Sequence, residues 1–88
     1  MCEESADGHD AQLVLAARAG DKGAFAHLLT RHRALLAAVC RRALADPLSA
    51  EDIVQEASLQ ALLSLERLRH PAQFGPWLAG IGLNLCRD

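Results

Sequence analysis

Apolar residues recur along this chain at intervals of three and four, the spacing that gathers side chains on one face of an α-helix. Four such stretches can be separated by their stop and start signals. Residues 1–9 are polar and acidic, include Gly8, and predict a disordered tail ahead of a domain over 10–88. Asp10 can cap a first helix over about 11–19 with Leu13, Val14 and Ala17 inward, and Gly20 stands where a left-handed residue would end it. Asp21 caps a second helix, which runs to about Ala45 with Phe25, Leu28, Leu29, Leu35, Leu36, Val39, Cys40 and Leu44 on one stripe. Asp46-Pro47 breaks the chain, since proline lacks a donor and pushes its predecessor out of the helical region.

A third helix follows at once. Ser49-Ala50-Glu51-Asp52 has the form of a capping box, and Val54, Ala57, Ala61, Leu65 and Leu68 supply an inward stripe. Residues 69–75 predict a loop, and Pro76 suits the first position of a fourth helix with Leu78, Ile81 and Leu85 inward. That helix reaches the last residue, so the expectation is a piece of something longer.

Composition supports the same picture. Alanine and leucine supply 33 of 88 residues, while valine, isoleucine and threonine together supply 6. Helix formers dominate and strand formers are scarce, which predicts an all-α fold, a compact bundle of about four helices. At this length there is room for one hydrophobic core. The net charge of −2 conceals an acidic first ten residues and a remainder near +2, too weakly basic for a general DNA binder. Cys2, Cys40 and Cys86 are odd in number and far apart, so neither a disulfide framework nor a zinc site is signalled. An acidic N-terminus and the lack of a long apolar run point away from export and membranes and toward the cytoplasm.

Three groups of residues could carry function. Asp52, Gln55 and Glu56, at i, i+3 and i+4, share one face of the third helix, which continues into Leu59 and Leu63. The plain reading is a solvated helix start, where acids offset the macrodipole. The sharper one is a docking edge for a basic partner helix, because acids run directly into apolar surface. On the fourth helix Trp77, Gly80, Asn84 and Arg87 share another face. Trp77 reads as a core anchor, or as a stacking ring beside an amide and a cation that meet unstacked bases. Arg31, Arg33, Arg41 and Arg42 form a basic run whose plain reading is a solvated, snorkelling face. His27 and His32, five apart, read as ordinary helix residues and not as metal ligands. With no Ser-His-Asp pattern and no glycine-rich phosphate loop, the chain reads as a non-enzyme needing no cofactor or metal.

Taken in order, Leu13-Val14 with Gly20-Asp21-Lys22-Gly23-Ala24-Phe25, then Ala50 through Ala57, then Phe74 through Asn84 resemble region 2 of sigma-70 family RNA polymerase sigma factors, most closely the extracytoplasmic-function (ECF) group. The likeness spans about residues 10–88. It implies a helical domain that docks on the clamp helices of the polymerase β′ subunit and helps open the promoter −10 element. By position, the resemblance assigns docking to Asp52, Gln55 and Glu56, and the helical face they share adds Leu59 and Leu63 to the expected contact. It assigns contact with single-stranded −10 DNA to Leu68, Arg69, Phe74, Trp77 and Asn84, to which Arg87 adds a phosphate-facing cation. An anti-sigma protein is a further implied partner. Leu68 stands where the family often has an aromatic residue, and Gln60 and Gly80 where it often has basic ones. Weaker stacking and phosphate contact follow, so the alternative is a sigma-like interaction domain that keeps docking but has lost promoter opening. Gly80 and Gly82 should also cost the last helix roughly 1 kcal/mol each relative to alanine.

Overall fold

The computed structural model describes the backbone of residues 2–44 and 47–87 and the side chains of 9–44 and 48–87. The described residues form four α-helices: α1 (Cys2–Arg18), α2 (Lys22–Ala43), α3 (Pro47–Ser64) and α4 (Phe74–Arg87). Two single 3₁₀ turns, Leu65–Arg67 and Pro71–Gln73, lead from α3 into α4. The described residues contain no strand, and the radius of gyration, 12.8 Å, is close to the ~12 Å of a compact chain this long.

The α1–α2 junction follows the expected signals. Gly20 has φ of +110°, a conformation open to glycine and rarely to others. The Gly20 N–H donates to the Ala17 carbonyl and the Asp21 N–H to that of Ala16, both at 3.0 Å, which closes α1 with a Schellman motif. Asp21 then accepts from the Ala24 N–H through Oδ1 at 3.2 Å and caps α2.

Elsewhere the boundaries move. α1 begins at Cys2 and takes in the stretch expected to be a tail, whose acidic composition suits a helix N-terminus. Asp10 therefore lies inside α1 and caps nothing. α3 starts at Pro47, placing Ser49 in its first turn; proline fits a helix start because its missing N–H would have no intrahelical partner there. α4 starts at Phe74, ahead of Pro76, which still falls in the first turn. The expected helix end at Ala45 and the Asp46 part of the break lie outside the described residues.

The core joins all four helices: Val14 of α1; Phe25, Leu28, Leu36 and Cys40 of α2; Ala50, Val54, Ala57 and Ala61 of α3; Phe74 and Leu78 of α4, with Leu65 and Leu68 from the connection. Leu35, expected inward, is 49% exposed, because the stripe on α2 narrows where α3 and α4 cover one side of it. Gly82 has a packing role. A Cβ there would sit 2.6 Å from Leu36 Cδ1 and 3.3 Å from Cys40 Sγ, so α4 approaches α2 more closely than an alanine would allow.

Candidate docking face on α3 and candidate cleft at the start of α4

The outer surface of α3 lies opposite its buried stripe. Ala50, Val54, Ala57 and Ala61 face the core, and by helical phase Asp52, Glu56, Leu59 and Leu63 project the other way. Asp52, Gln55 and Glu56 are exposed, as are Leu59 (52%) and Leu63 (76%). All five predicted docking residues are thus free to meet a partner. Exposed Leu48 and Leu62 enlarge the apolar part of the same surface. Leu62, Leu59 and Gln55 also form one wall of a groove between α3 and α2, whose other wall is Lys22, Phe25, Ala26 and Leu29. Ser58 lines it too, but its hydroxyl donates back to the Val54 carbonyl at 2.8 Å, so that donor is already used within α3.

The 3₁₀ connection and the first turns of α4 enclose an open cleft of about 510 Å³, lined by Arg67, Leu68, Arg69, His70, Gln73, Pro76 and Trp77. Its size falls in the roughly 300–1,000 Å³ range of small-ligand sites. Two guanidinium groups and an imidazole surround the half-buried indole, and no carboxylate is among the lining residues. An aromatic face rimmed by cations suits a base with its phosphate.

The six residues predicted to meet DNA separate into three groups. Leu68, Arg69 and Trp77 come together at the cleft. Phe74 is fully buried, and Leu68 keeps only 5% exposure. Phe74 packs against Phe25 (ring centroids 6.1 Å apart), His32 (5.7 Å) and Trp77 (5.9 Å). A ring enclosed in this way has no surface for a nucleotide; Phe74 supports Trp77 from below, correcting its expected role as a contact. Asn84 and Arg87 are exposed farther along α4 and line no part of the cleft.

Residues 28–88 match the sigma-70 region 2 family. The chain belongs to that family. Its relatives include the RNA polymerase sigma factor NccH of Alcaligenes xylosoxydans xylosoxydans, 37% identical over 79 residues, which are 90% of this chain and 42% of that protein. The ECF RNA polymerase sigma factor SigM of Mycobacterium tuberculosis is 35% identical over 79 residues, 90% of this chain and 40% of its own length. The probable RNA polymerase sigma factor RfaY of Xanthomonas campestris pv. campestris is 39% identical over 72 residues, 82% of this chain and 18% of its own. This region 2 chain therefore spans less than half the length of these relatives. No solved structure gives a significant match to it.

Within this region 2 fold, sequence reasoning missed the α2 wall of the groove and four cleft residues, Arg67, His70, Gln73 and Pro76. The α2 wall left a faint signal, since Phe25 and Leu29 stand one turn apart, but they serve the core pattern equally well. Arg31 and His32 are held by Asp10 (Arg31 Nε donates to Oδ1 at 2.8 Å), so the basic run is not uniformly solvated. His27 meets the ring of His9 edge-on at 5.3 Å. Among the described residues no group of three or more His, Cys, Asp or Glu converges on a point that could hold a metal. No described helix is long and apolar enough to cross a membrane.

Proposed function

We propose that this chain is a transcription-initiation module. Its α3 face docks on the clamp helices of the RNA polymerase β′ subunit, and its cleft at the start of α4 takes an unstacked base of the promoter −10 strand. The observation that carries the reading is the placement of Asp52, Gln55, Glu56, Leu59 and Leu63 together on exposed surface, directly opposite the buried stripe of the same helix. Acids followed by leucines suit a basic amphipathic helix, which gains charge-assisted bonds at one end and apolar burial at the other. The relatives named as RNA polymerase sigma factors support the same role. The module would act in the cytoplasm with the polymerase, and an anti-sigma protein would compete by covering the α3 face.

A second reading has an observation of its own. Phe74 and Leu68 are buried, and Asn84 and Arg87 lie outside the cleft, leaving Arg69 and Trp77 as the predicted residues free to meet DNA there. That favours an interaction module which docks without opening promoters.

One experiment separates the two readings. Binding of the chain to core polymerase is measured first, then fluorescence anisotropy of the complex with a non-template −10 oligonucleotide and a scrambled strand. Asp52→Ala with Glu56→Ala should weaken docking by about 1–3 kcal/mol, roughly 5- to 150-fold, with folding unchanged. Unaltered docking by the folded double variant removes the α3 assignment. Equal affinity for both strands rejects base recognition and leaves the interaction module.

A further inference from the structure

Arg18 ends α1, yet its side chain serves a different part of the fold. Its guanidinium donates twice to the Leu65 carbonyl, from Nε at 3.2 Å and from Nη2 at 3.0 Å, and Nη2 also donates to the Leu68 carbonyl. These two carbonyls bracket the 3₁₀ turn that follows α3. Leu65 O already accepts the Leu68 N–H at 3.2 Å, and Leu68 is the extended residue, φ −68° and ψ 112°, at which the chain leaves the turn for Arg69 and His70. A helix end leaves carbonyls that need donors, and a planar fork with several fixed N–H groups can hold two of them at once. The part-buried guanidinium thus pins the point from which the wall of the cleft departs, 47 and 50 residues away in sequence.

From this geometry we infer that Arg18 is a positioning residue for the cleft. It fixes the Leu65–Leu68 turn against α1 and so sets where Arg69 and His70 stand relative to the Trp77 ring. The inference rests on reading the cleft as the base site, and it adds to that reading a residue that touches no nucleotide. Arg18 could instead serve only the stability of the bundle, as a cation in the last turn of α1 and a cap for the turn after α3. The two roles differ in one respect. A purely stabilising residue changes DNA affinity only through the folded fraction, whereas a positioning residue changes the cleft in molecules that remain folded.

Trp77 is the single tryptophan of the chain and lines the cleft, so its emission and its quenching by acrylamide report the cleft directly. Three measurements apply to Arg18→Met, which retains the aliphatic stem, and Arg18→Lys, which retains the charge but not the fork. They are helical content with urea unfolding, Trp77 quenching in the free chain, and anisotropy with a −10 oligonucleotide in complex with core polymerase. In Arg18→Met, at conditions where it is folded, Trp77 should be quenched more readily and shifted to the red. Oligonucleotide affinity should fall roughly tenfold with polymerase docking retained, the scale of losing charge-assisted bonds. Arg18→Lys should recover only part of both signals. Wild-type quenching and affinity in folded Arg18→Met overturn the inference, as does an affinity loss that merely tracks the unfolded fraction. If Arg18→Met does not fold, the same criteria apply to Arg18→Lys. If the wild-type complex itself shows no −10 preference, the base-site reading fails, while Trp77 quenching still decides whether Arg18 holds the wall.

Discussion

Asp10 Oδ2 lies 2.7 Å from His32 Nε2, joining α1 to α2 across 22 positions of sequence. Asp10 is only 4% exposed, and its other oxygen takes the Arg31 Nε, so one carboxylate ties the first helix to two neighbouring residues of the second. His32 in turn meets the Phe74 ring, which connects this pair to the floor below Trp77.

Removing the carboxylate takes one acceptor from the Arg31 guanidinium and one hydrogen-bond partner from His32 Nε2. Asp10→Ala should therefore destabilise the chain by about 1–3 kcal/mol, the scale of losing the hydrogen bonds of one buried carboxylate to partly exposed partners. Asp10→Asn should lose less, since the amide oxygen still accepts one bond. Urea unfolding of both variants checks the order, and an Asp10→Ala chain as stable as wild type would show that the pair contributes nothing.

Phe74 and Trp77 should separate sharply on truncation. Phe74 is fully enclosed, and Phe74→Ala should cost about 3–5 kcal/mol, enough to unfold so small a domain. Half-buried Trp77 loses less contact, and Trp77→Ala should cost about 1–3 kcal/mol. Melting temperatures rank the two. An equal loss would place Trp77 in the core beside Phe74.

The two glycines of α4 should respond to alanine in opposite directions. Nothing lies within 4 Å of a Cβ placed at Gly80, so Gly80→Ala should gain about 0.5–1 kcal/mol in helix propensity. At Gly82 the new methyl meets Leu36 and Cys40, and Gly82→Ala should lose about 1–3 kcal/mol through overpacking. Thermal unfolding of the two single variants tests the contrast, which requires a sign change between positions two residues apart.

Burial, followed by a hydrogen bond with the Cys86 thiol, pushes the Cys40 thiol up from 9.0 to about 11. Below about pH 9 Cys40 is protonated whether the chain is folded or not, and it adds no pH dependence. Above that, the unfolded chain gives up a proton that the folded chain keeps, so folding stability should fall as pH rises from about 9 to 11, by about 1–3 kcal/mol in all. Urea unfolding of a Cys2→Ser chain, compared with the same chain carrying Cys40→Ala, isolates this slope. At pH 8 iodoacetamide should modify Cys86 and leave Cys40 unmodified until the chain unfolds. Equal labelling of the two thiols in the native state contradicts the enclosure of Cys40.

Much of this protein is legible in its local sequence. The abundance of alanine and leucine, the stripes at helical spacing and the Gly20-Asp21 junction determine four helices and most of their inward faces. The proposed docking face is equally legible, because Asp52, Gln55, Glu56, Leu59 and Leu63 lie on one helix, whose phase alone puts them opposite Ala57 and Ala61. The cleft is different in kind. The sequence put Phe74 in the loop before the fourth helix and Trp77 in that helix's first turn without showing that the first lies enclosed under the second, and it grouped Asn84 with Trp77 without showing that the cleft ends before Asn84.

Asp10 and Arg18 mark the boundary most clearly. As isolated residues, Asp10 is a good helix cap and Arg18 a good last-turn cation, and both local roles are physically sound. Tertiary structure put the carboxylate of Asp10 between Arg31 and His32 and the guanidinium of Arg18 on the carbonyls of Leu65 and Leu68. Helical periodicity is a property of neighbours three and four residues apart, so it fixes which face a side chain occupies. What that side chain meets across 22 or 47 residues exists only once the helices have packed, and the partners of these two residues were decided there.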